Sequence, residues 1–245
     1  MIRAHMATFP PRSAILMQTV ASILPQVDHL FLCLNQHEAI PPALAQDDRV
    51  TAIIPDRDLR DAGKFAFVPD DDDIVLTVDD DILYPPDYVA RTLAHFDQLP
   101  PECHVLGYLG NAWMAKGKLG QEGWKNFMFH KRAPHAIKVD VLGTGTTCQL
   151  GRHLPRLDQI EGAAGFVDLR HARLHTQAGR WMWSLPRDEG WMASLMTDDL
   201  LPSSLFTTVN RARPRDMMNE LRALLAERGP HSGQQLARLR SAGLL

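Results

Sequence analysis

The chain of 245 residues carries 26 Lys and Arg against 29 Asp and Glu, a formal net charge of −3, and 45% of its residues are hydrophobic. That apolar fraction suits one large core or two small ones and excludes a disordered chain. A balance so near neutrality provides no broad basic face for nucleic acid, so functional charge must be local.

Short apolar runs separated by one amphipathic stretch open the chain, the pattern of strands joined by a crossover helix. Met1 to Ala7 reads as a strand and residues 8–12 as a loop, because Pro10 and Pro11 fit neither regular structure. Ser13 is the expected N-cap of a helix over 14–24. Its Ile15, Leu16, Thr19, Val20, Ile23 and Leu24 recur at helical spacing and so should face a sheet. His29 to Asn35, Arg49 to Ile54, Ile74 to Val78 and His104 to Leu109 are further strands; their near-continuous apolarity fits a parallel sheet covered on both faces. Pro86 to Phe96 reads as a helix. From Gly110 to Asp140 no period is evident, which marks a long binding loop or lid. Gly143 to Thr147 reads as a flexible turn, Val167 to Ala178 as a helix, Trp181 to Leu185 as a strand and Met217 to Glu227 as an amphipathic helix. Residues 211–245 hold seven Arg against three acidic groups, a basic helical tail.

No run approaches the roughly 18 apolar residues of a membrane span, and the N-terminus has no basic head followed by an apolar signal region, so a cytoplasmic protein is expected. Cys33, Cys103 and Cys148 are scattered without a C-x-x-C pair and read as buried apolar side chains.

The most informative stretch is Ile74-Val75-Leu76-Thr77-Val78-Asp79-Asp80-Asp81. An apolar strand here delivers three carboxylates at its carboxyl end, where open α/β sheets bind ligands. Side chains at i and i+2 lie on the same side, roughly 6 to 7 Å apart, so Asp79 and Asp81 can face one ligand. Their mutual repulsion turns favourable when a divalent cation sits between them, and an all-oxygen set argues for Mg²⁺ or Mn²⁺. The preceding run Asp70 to Asp73 reads as a solvated turn.

The segment from Val78 to Ile82, followed by Tyr84-Pro85-Pro86-Asp87-Tyr88, resembles the D-x-D strand end of the family-2-like, bacterial glycosyltransferases of the GT-A fold. Ala7 to Arg12, and Ile23 to Asp28 leading to Leu34-Asn35, are similar to that family's first strand, loop and helix. Looser likenesses follow in Gly143 to Thr147, Phe166 to Leu169 and Leu185 to Trp191, so the resemblance spans about residues 1–210. It implies an α/β, Rossmann-like GT-A fold whose mostly parallel central sheet is flanked by helices. The catalytic domain would occupy 1–210, with a donor half over about 1–109, an acceptor half over about 110–210, and the tail at 211–245. The implied activity is metal-dependent transfer of a sugar from a nucleotide-diphosphate sugar, UDP favoured, to a carbohydrate or glycolipid acceptor in surface polysaccharide or glycoconjugate synthesis.

By the same resemblance Thr8, Arg12, Lys64, Asp79 and Asp80 would contact the donor, Asp79 and Asp81 would hold Mn²⁺ or Mg²⁺, and Asp168 would be the base. At a helix start the macrodipole should hold the Asp168 pKa low, which argues against a base unless the site is partly dry. His171 and His175 have a metal-like spacing but read as partly buried polar residues. Among the five tryptophans, Trp124 and Trp191 beside glycines are pocket candidates, and with Arg187 they form the acceptor-side set. Two alternatives are a haloacid-dehalogenase-like phosphatase, which also places D-x-D after an apolar strand, and a catalytically degenerate sugar-binding module. The basic tail could touch an anionic membrane or dock on the domain.

Overall fold

The computed structural model describes residues 1–116 and 121–245. In chain order the first half runs β1 (Ile2–Thr8), α1 (Ser13–Ile23), β2 (His29–Leu34), α2 (Pro42–Ala45), β3 (Val50–Ile53), β4 (Ile74–Val78), β5 (Ile82–Leu83), α3 (Tyr88–Ala94) and β6 (His104–Gly107). The second half runs β7 (Gly110–Lys116), β8 (Gln121–Phe127), β9 (Ile137–Val139), β10 (Val141–Leu142), β11 (Thr146–Leu150), α4 (Leu157–Ile160), α5 (Val167–Gln177), β12 (Trp181–Ser184), β13 (Ala193–Ser194), α6 (Arg215–Glu227) and α7 (Leu236–Ser241).

Eight strands form one sheet in the order β3-β2-β1-β4-β11-β6-β12-β9. Four of its neighbour pairs are parallel, β2 with β3, β1 with β2, β1 with β4 and β6 with β12; β11 runs antiparallel between β4 and β6, and β9 antiparallel beside β12. The apolar runs therefore become central strands because both faces are covered. The expected face of α1 is the observed one: Ile15, Leu16, Thr19, Val20 and Ile23 are buried, joined by Leu24 in the following turn. Ser13 does not cap it. The two prolines set a 3-10 turn over Pro10–Arg12, so the helix continues from that turn and the Ser13 hydroxyl donates back to the Pro10 carbonyl at 2.7 Å.

The stretch read as an aperiodic loop contains a β-hairpin. β7 pairs antiparallel with β8, and Trp113 stands opposite Trp124 with ring centroids 5.1 Å apart, edge to face. That cross-strand aromatic pair contributes of the order of 0.5–1.5 kcal/mol beyond its area, enough to favour a strand pairing that the local sequence hides. Residues 117–120 of that stretch lie outside the described residues. The Gly143 to Thr147 segment turns at Thr144-Gly145, closed by the Thr146 amide on the Gly143 carbonyl at 3.1 Å, but it is a buried turn rather than an exposed one. All five residues are buried, and Thr146 and Thr147 already belong to β11, in register with Val78 and Thr77. Cys33 and Cys148 are buried as expected, but Cys103 is exposed at the turn before β6.

The tail is docked. Arg170 of α5 makes a two-pronged pair with Glu220 of α6 at 2.8 Å on each arm, Arg173 pairs with Glu227, and Leu224 is fully buried behind them. Further on, Leu236 and Leu239 of α7 enter the main core, and the Leu236 amide donates to the Ala136 carbonyl at 2.9 Å. Two of the three acidic groups of the basic segment are thus spent on α5, and Leu224, Leu236 and Leu239 on the core. Among the described residues no helix is long and apolar enough to cross a membrane.

Candidate active site

The carboxyl ends of β1 and β4 lie side by side at the centre of the sheet, and the acidic run follows directly from β4. Asp79 and Asp81 are partly exposed, with side chains 34% and 23% accessible, whereas Asp80 is buried. The strand end is held from three sides. The Tyr84 hydroxyl accepts the Asp79 amide at 2.8 Å and donates to the Gly145 carbonyl at 2.7 Å, while the Thr19 hydroxyl of α1 donates to the Asp80 carbonyl at 2.9 Å. Gly145 is required by space: a Cβ there would overlap the Asp79 carboxylate, so the carboxylate lies directly on that backbone.

Two buried cations face this acidic end. Lys64 belongs to a 3-10 turn over Arg60–Phe65 that Asn35, just past β2, anchors by accepting the Leu59 amide at 2.8 Å and donating to the Arg60 carbonyl at 2.9 Å. The turn presses onto the sheet at Gly63, where a Cβ would meet Cys33 Sγ at 2.7 Å and the Ala7 side chain at 3.2 Å. Lys64 Nζ is thereby delivered to Asp79 Oδ1 and donates also to Thr144 Oγ1 at 3.3 Å. Arg12 is buried, with Nη1 3.5 Å from Asp81 Oδ2. Its Nε and Nη1 are buried without a hydrogen-bond partner among the described residues, and the Thr8 hydroxyl at the end of β1 lies against the Asp80 carboxyl. Such orphaned donors at a strand-end crevice are the kind of group a bound ligand satisfies.

Asp168 sits in the first turn of α5, and its Oδ1 accepts both the Thr144 amide at 2.8 Å and the Thr144 hydroxyl at 2.7 Å. Burial raises its pKa above the ordinary value, although Lys64 and the Thr144 hydrogen bonds pull the other way. The low pKa expected from the macrodipole held only for a wet site, and here burial, the largest cause, raises it. Asp61 is a further carboxylate of the cluster, pushed up to about 6 by burial, and it accepts the Gly165 amide at 2.5 Å and the Val167 amide at 3.4 Å at the start of α5. Burial likewise raises Asp80 to about 6, and burial together with its neighbours Asp79 and Asp80 raises Asp81 to about 7. For Lys64 burial pulls the pKa down, but Asp79, Asp168 and Asp61 outweigh it and the net direction is up, so the ammonium stays charged.

Thr8, Arg12, Lys64, Asp79, Asp80, Asp81 and Asp168 are thus linked through a single cluster of contacts and charges. The acceptor-side set is not part of it. Trp124 lies in the β7–β8 hairpin against Trp113 and the smaller core. Trp191 donates to Asp87 at 2.9 Å, stacks near Tyr108 at 5.0 Å and lies under the Arg91 guanidinium at 4.3 Å. It lines a cavity of about 600 Å³ with Leu83, Tyr84, Pro85 and Ala193. Arg187 is buried; its Nη1 and Nη2 donate to the Leu185 and Met128 carbonyls and the Ser184 hydroxyl, which ties β12 to the segment after β8, while its Nε has no hydrogen-bond partner among the described residues. His171 and His175 are both buried: His171 Nε2 lies 3.1 Å from Gln149 Oε1 and 3.0 Å from His175 Nε2. They fasten α5 to β11.

Asp79 and Asp81 form an all-oxygen donor set suited to a hard cation, which commonly takes one or two carboxylates and completes its shell with water and substrate phosphate. Among the described residues no group of three or more His, Cys, Asp or Glu is arranged to hold a metal ion. Asp79 Oδ1 is held by Lys64 and Asp81 Oδ2 lies 3.5 Å from Arg12 Nη1, so the described residues make no closed protein cage at this strand end.

No family model matches the chain, and no curated protein matches it. Solved structures do. S. aureus TarS 1-349 in complex with UDP superposes with a TM-score of 0.57 at 13% identity, covering 92% of this chain and 64% of that one. TarS 1-349 with UDP-GlcNAc gives 0.51 at 11% identity over 92% and 66%, and a longer TarS structure gives 0.53 at 12% over 92% and 42%. The chain thus spans slightly less than two thirds of the first of these neighbours. With the sheet order above, the likeness establishes a GT-A-like α/β fold.

Proposed function

We propose that the protein is a nucleotide-sugar-dependent glycosyltransferase in which Asp79 and Asp81 hold Mn²⁺ or Mg²⁺. The observation that carries this reading is the acidic carboxyl end of β4, faced by buried Lys64 and Arg12, on a GT-A-like fold. UDP is the favoured nucleotide because TarS, a GT-A-like glycosyltransferase, is recorded with UDP and UDP-GlcNAc. When bound, the ion would offset charge developing on the diphosphate. Thr8 and Arg12 supply donors at the crevice. Lys64 holds Asp79 in place, and Asp80 is the buried carboxylate that sets the strand end. Asp168 accepts the proton of the acceptor hydroxyl as its oxygen bonds to the anomeric carbon; the carbon–oxygen bond to the diphosphate breaks, and the nucleoside diphosphate leaves with the electron pair. The acceptor is a carbohydrate or glycolipid, in surface polysaccharide or glycoconjugate synthesis in the cytoplasm.

The test is a thermal-shift comparison of UDP-, GDP-, CMP- and dTDP-sugars with and without Mn²⁺. A UDP-sugar should raise Tm by several degrees with Mn²⁺ and by less without it, since ligand at about 100 times its Kd adds about 2.7 kcal/mol. No stabilisation by any of the four would overturn the proposal.

A further inference from the structure

Sequence reading gave Thr144 no role beyond a glycine-rich turn, yet its side chain is the one that touches both halves of the charged cluster. It is 2% exposed. A threonine hydroxyl has one proton to donate and lone pairs to accept with. Here the proton goes to Asp168 Oδ1 at 2.7 Å, and the oxygen accepts from Lys64 Nζ at 3.3 Å, while Lys64 also holds Asp79. The chain of donors therefore runs in one direction, from the Lys64 ammonium through the Thr144 hydroxyl to the Asp168 carboxylate, with a branch to Asp79. The Thr144 amide donates to the same Asp168 oxygen at 2.8 Å, so Oδ1 is fixed twice and Oδ2 is left for other chemistry.

We infer that Thr144 is the positioning residue of Asp168: its hydroxyl orients the carboxylate and links it to Lys64, and through Lys64 to the donor-side Asp79. This rests on the reading of Asp168 as the base. Position explains why the link exists. Thr144 sits between β10 and β11, its neighbour Gly145 lies under the Asp79 carboxylate, and Thr146 returns to the sheet opposite Val78. The charged groups facing Asp168 are Lys64 and Asp79 across the cleft and Asp61 beneath the start of α5. Of these only Lys64 favours its ionised form.

The experiment uses the full chain and the pair Thr144→Val and Thr144→Ser. Removing the hydroxyl takes a hydrogen bond from the ionised carboxylate, so the Asp168 titration, followed by carbon NMR without ligand, should move to higher pH in Thr144→Val and return in Thr144→Ser. UDP release from UDP-GlcNAc with Mn²⁺ should fall roughly 10- to 100-fold in kcat for Thr144→Val, the loss expected for one hydrogen bond to a charged group. Its acid limb should shift upward, UDP affinity should stay within about twofold, and Thr144→Ser should recover most of the rate. An unchanged Asp168 midpoint in a folded Thr144→Val protein overturns the inference, and so does a Thr144→Ser protein as impaired as Thr144→Val. A shifted midpoint in a protein that never turns over a sugar nucleotide supports the link and instead sinks the proposed function.

Discussion

Asp168→Asn should lower sugar transfer by about 10² to 10⁴-fold, the range for loss of a positioned general base, while leaving UDP-dependent thermal stabilisation in place. The amide is nearly isosteric, and its oxygen can still accept the Thr144 amide and hydroxyl, so the start of α5 should keep its geometry. What is lost is the ability to take a proton. The wild-type rate should rise with pH through a midpoint above the ordinary carboxylate range, because burial holds the Asp168 proton more tightly and only the ionised form can act. In Asp168→Asn that limb should disappear. Steady-state rates between pH 5 and 8 check both statements; a variant within about threefold of wild type would remove Asp168 from the chemistry.

Lys64→Met should be the most destabilising single change in the cluster. The side chain is buried, and its removal leaves Asp79, Asp168 and Asp61 without the cation that faces all three. Breaking a buried pair from one side costs about 3–5 kcal/mol. Because Asp79 is about one third exposed, the lower end applies, about 3 kcal/mol, or about 6 to 12 °C in Tm for a chain of this size. The sign of the pH dependence follows from the carboxylates. Asp61 titrates at about 6 in the folded protein against 3.8 ordinarily, so the folded state binds its proton more tightly and stability falls as pH rises through that window. Without Lys64, which pulls both down, Asp61 and Asp168 are raised further. The variant should therefore approach wild type near pH 4 and separate from it progressively up to pH 8. A separation constant across that range would show that the lysine acts by packing its stem rather than by charge.

The donor half was legible because its signals are local. Apolar runs specify β2 and β4 and mark β1 despite its Arg3 and His5, the spacing of Ile15, Leu16, Thr19, Val20 and Ile23 specifies one helix face, and three aspartates after β4 mark the crevice. What escaped was set by distant partners. The β7–β8 hairpin has mixed small, charged and aromatic residues, and Trp113 finds Trp124 only once the chain has turned. Thr144, Gly145 and Asp61 look like ordinary turn residues until the sheet brings β11 beside β4 and the Arg60–Phe65 turn against the start of α5. The direction of the Asp168 shift hung on whether the site is dry, because a helix dipole can be read from sequence and burial cannot. Arg187 looked available, but its two terminal nitrogens are taken by the Leu185 and Met128 carbonyls and the Ser184 hydroxyl, the farthest of them 59 positions away. A signal for Gly145 did exist: a glycine flanked by threonines at a strand start invites the question of what approaches that backbone.

A crystal grown with Mn²⁺ and UDP shows whether the acidic end of β4 grips a cation-bound diphosphate. Anomalous density for one manganese is expected within about 2.2 Å of an Asp81 oxygen and of the diphosphate, with Asp79 on the same side and the nucleotide over β1 and β4. UDP bound elsewhere, or Asp79 and Asp81 diverging into solvent with no ion between them, would contradict it.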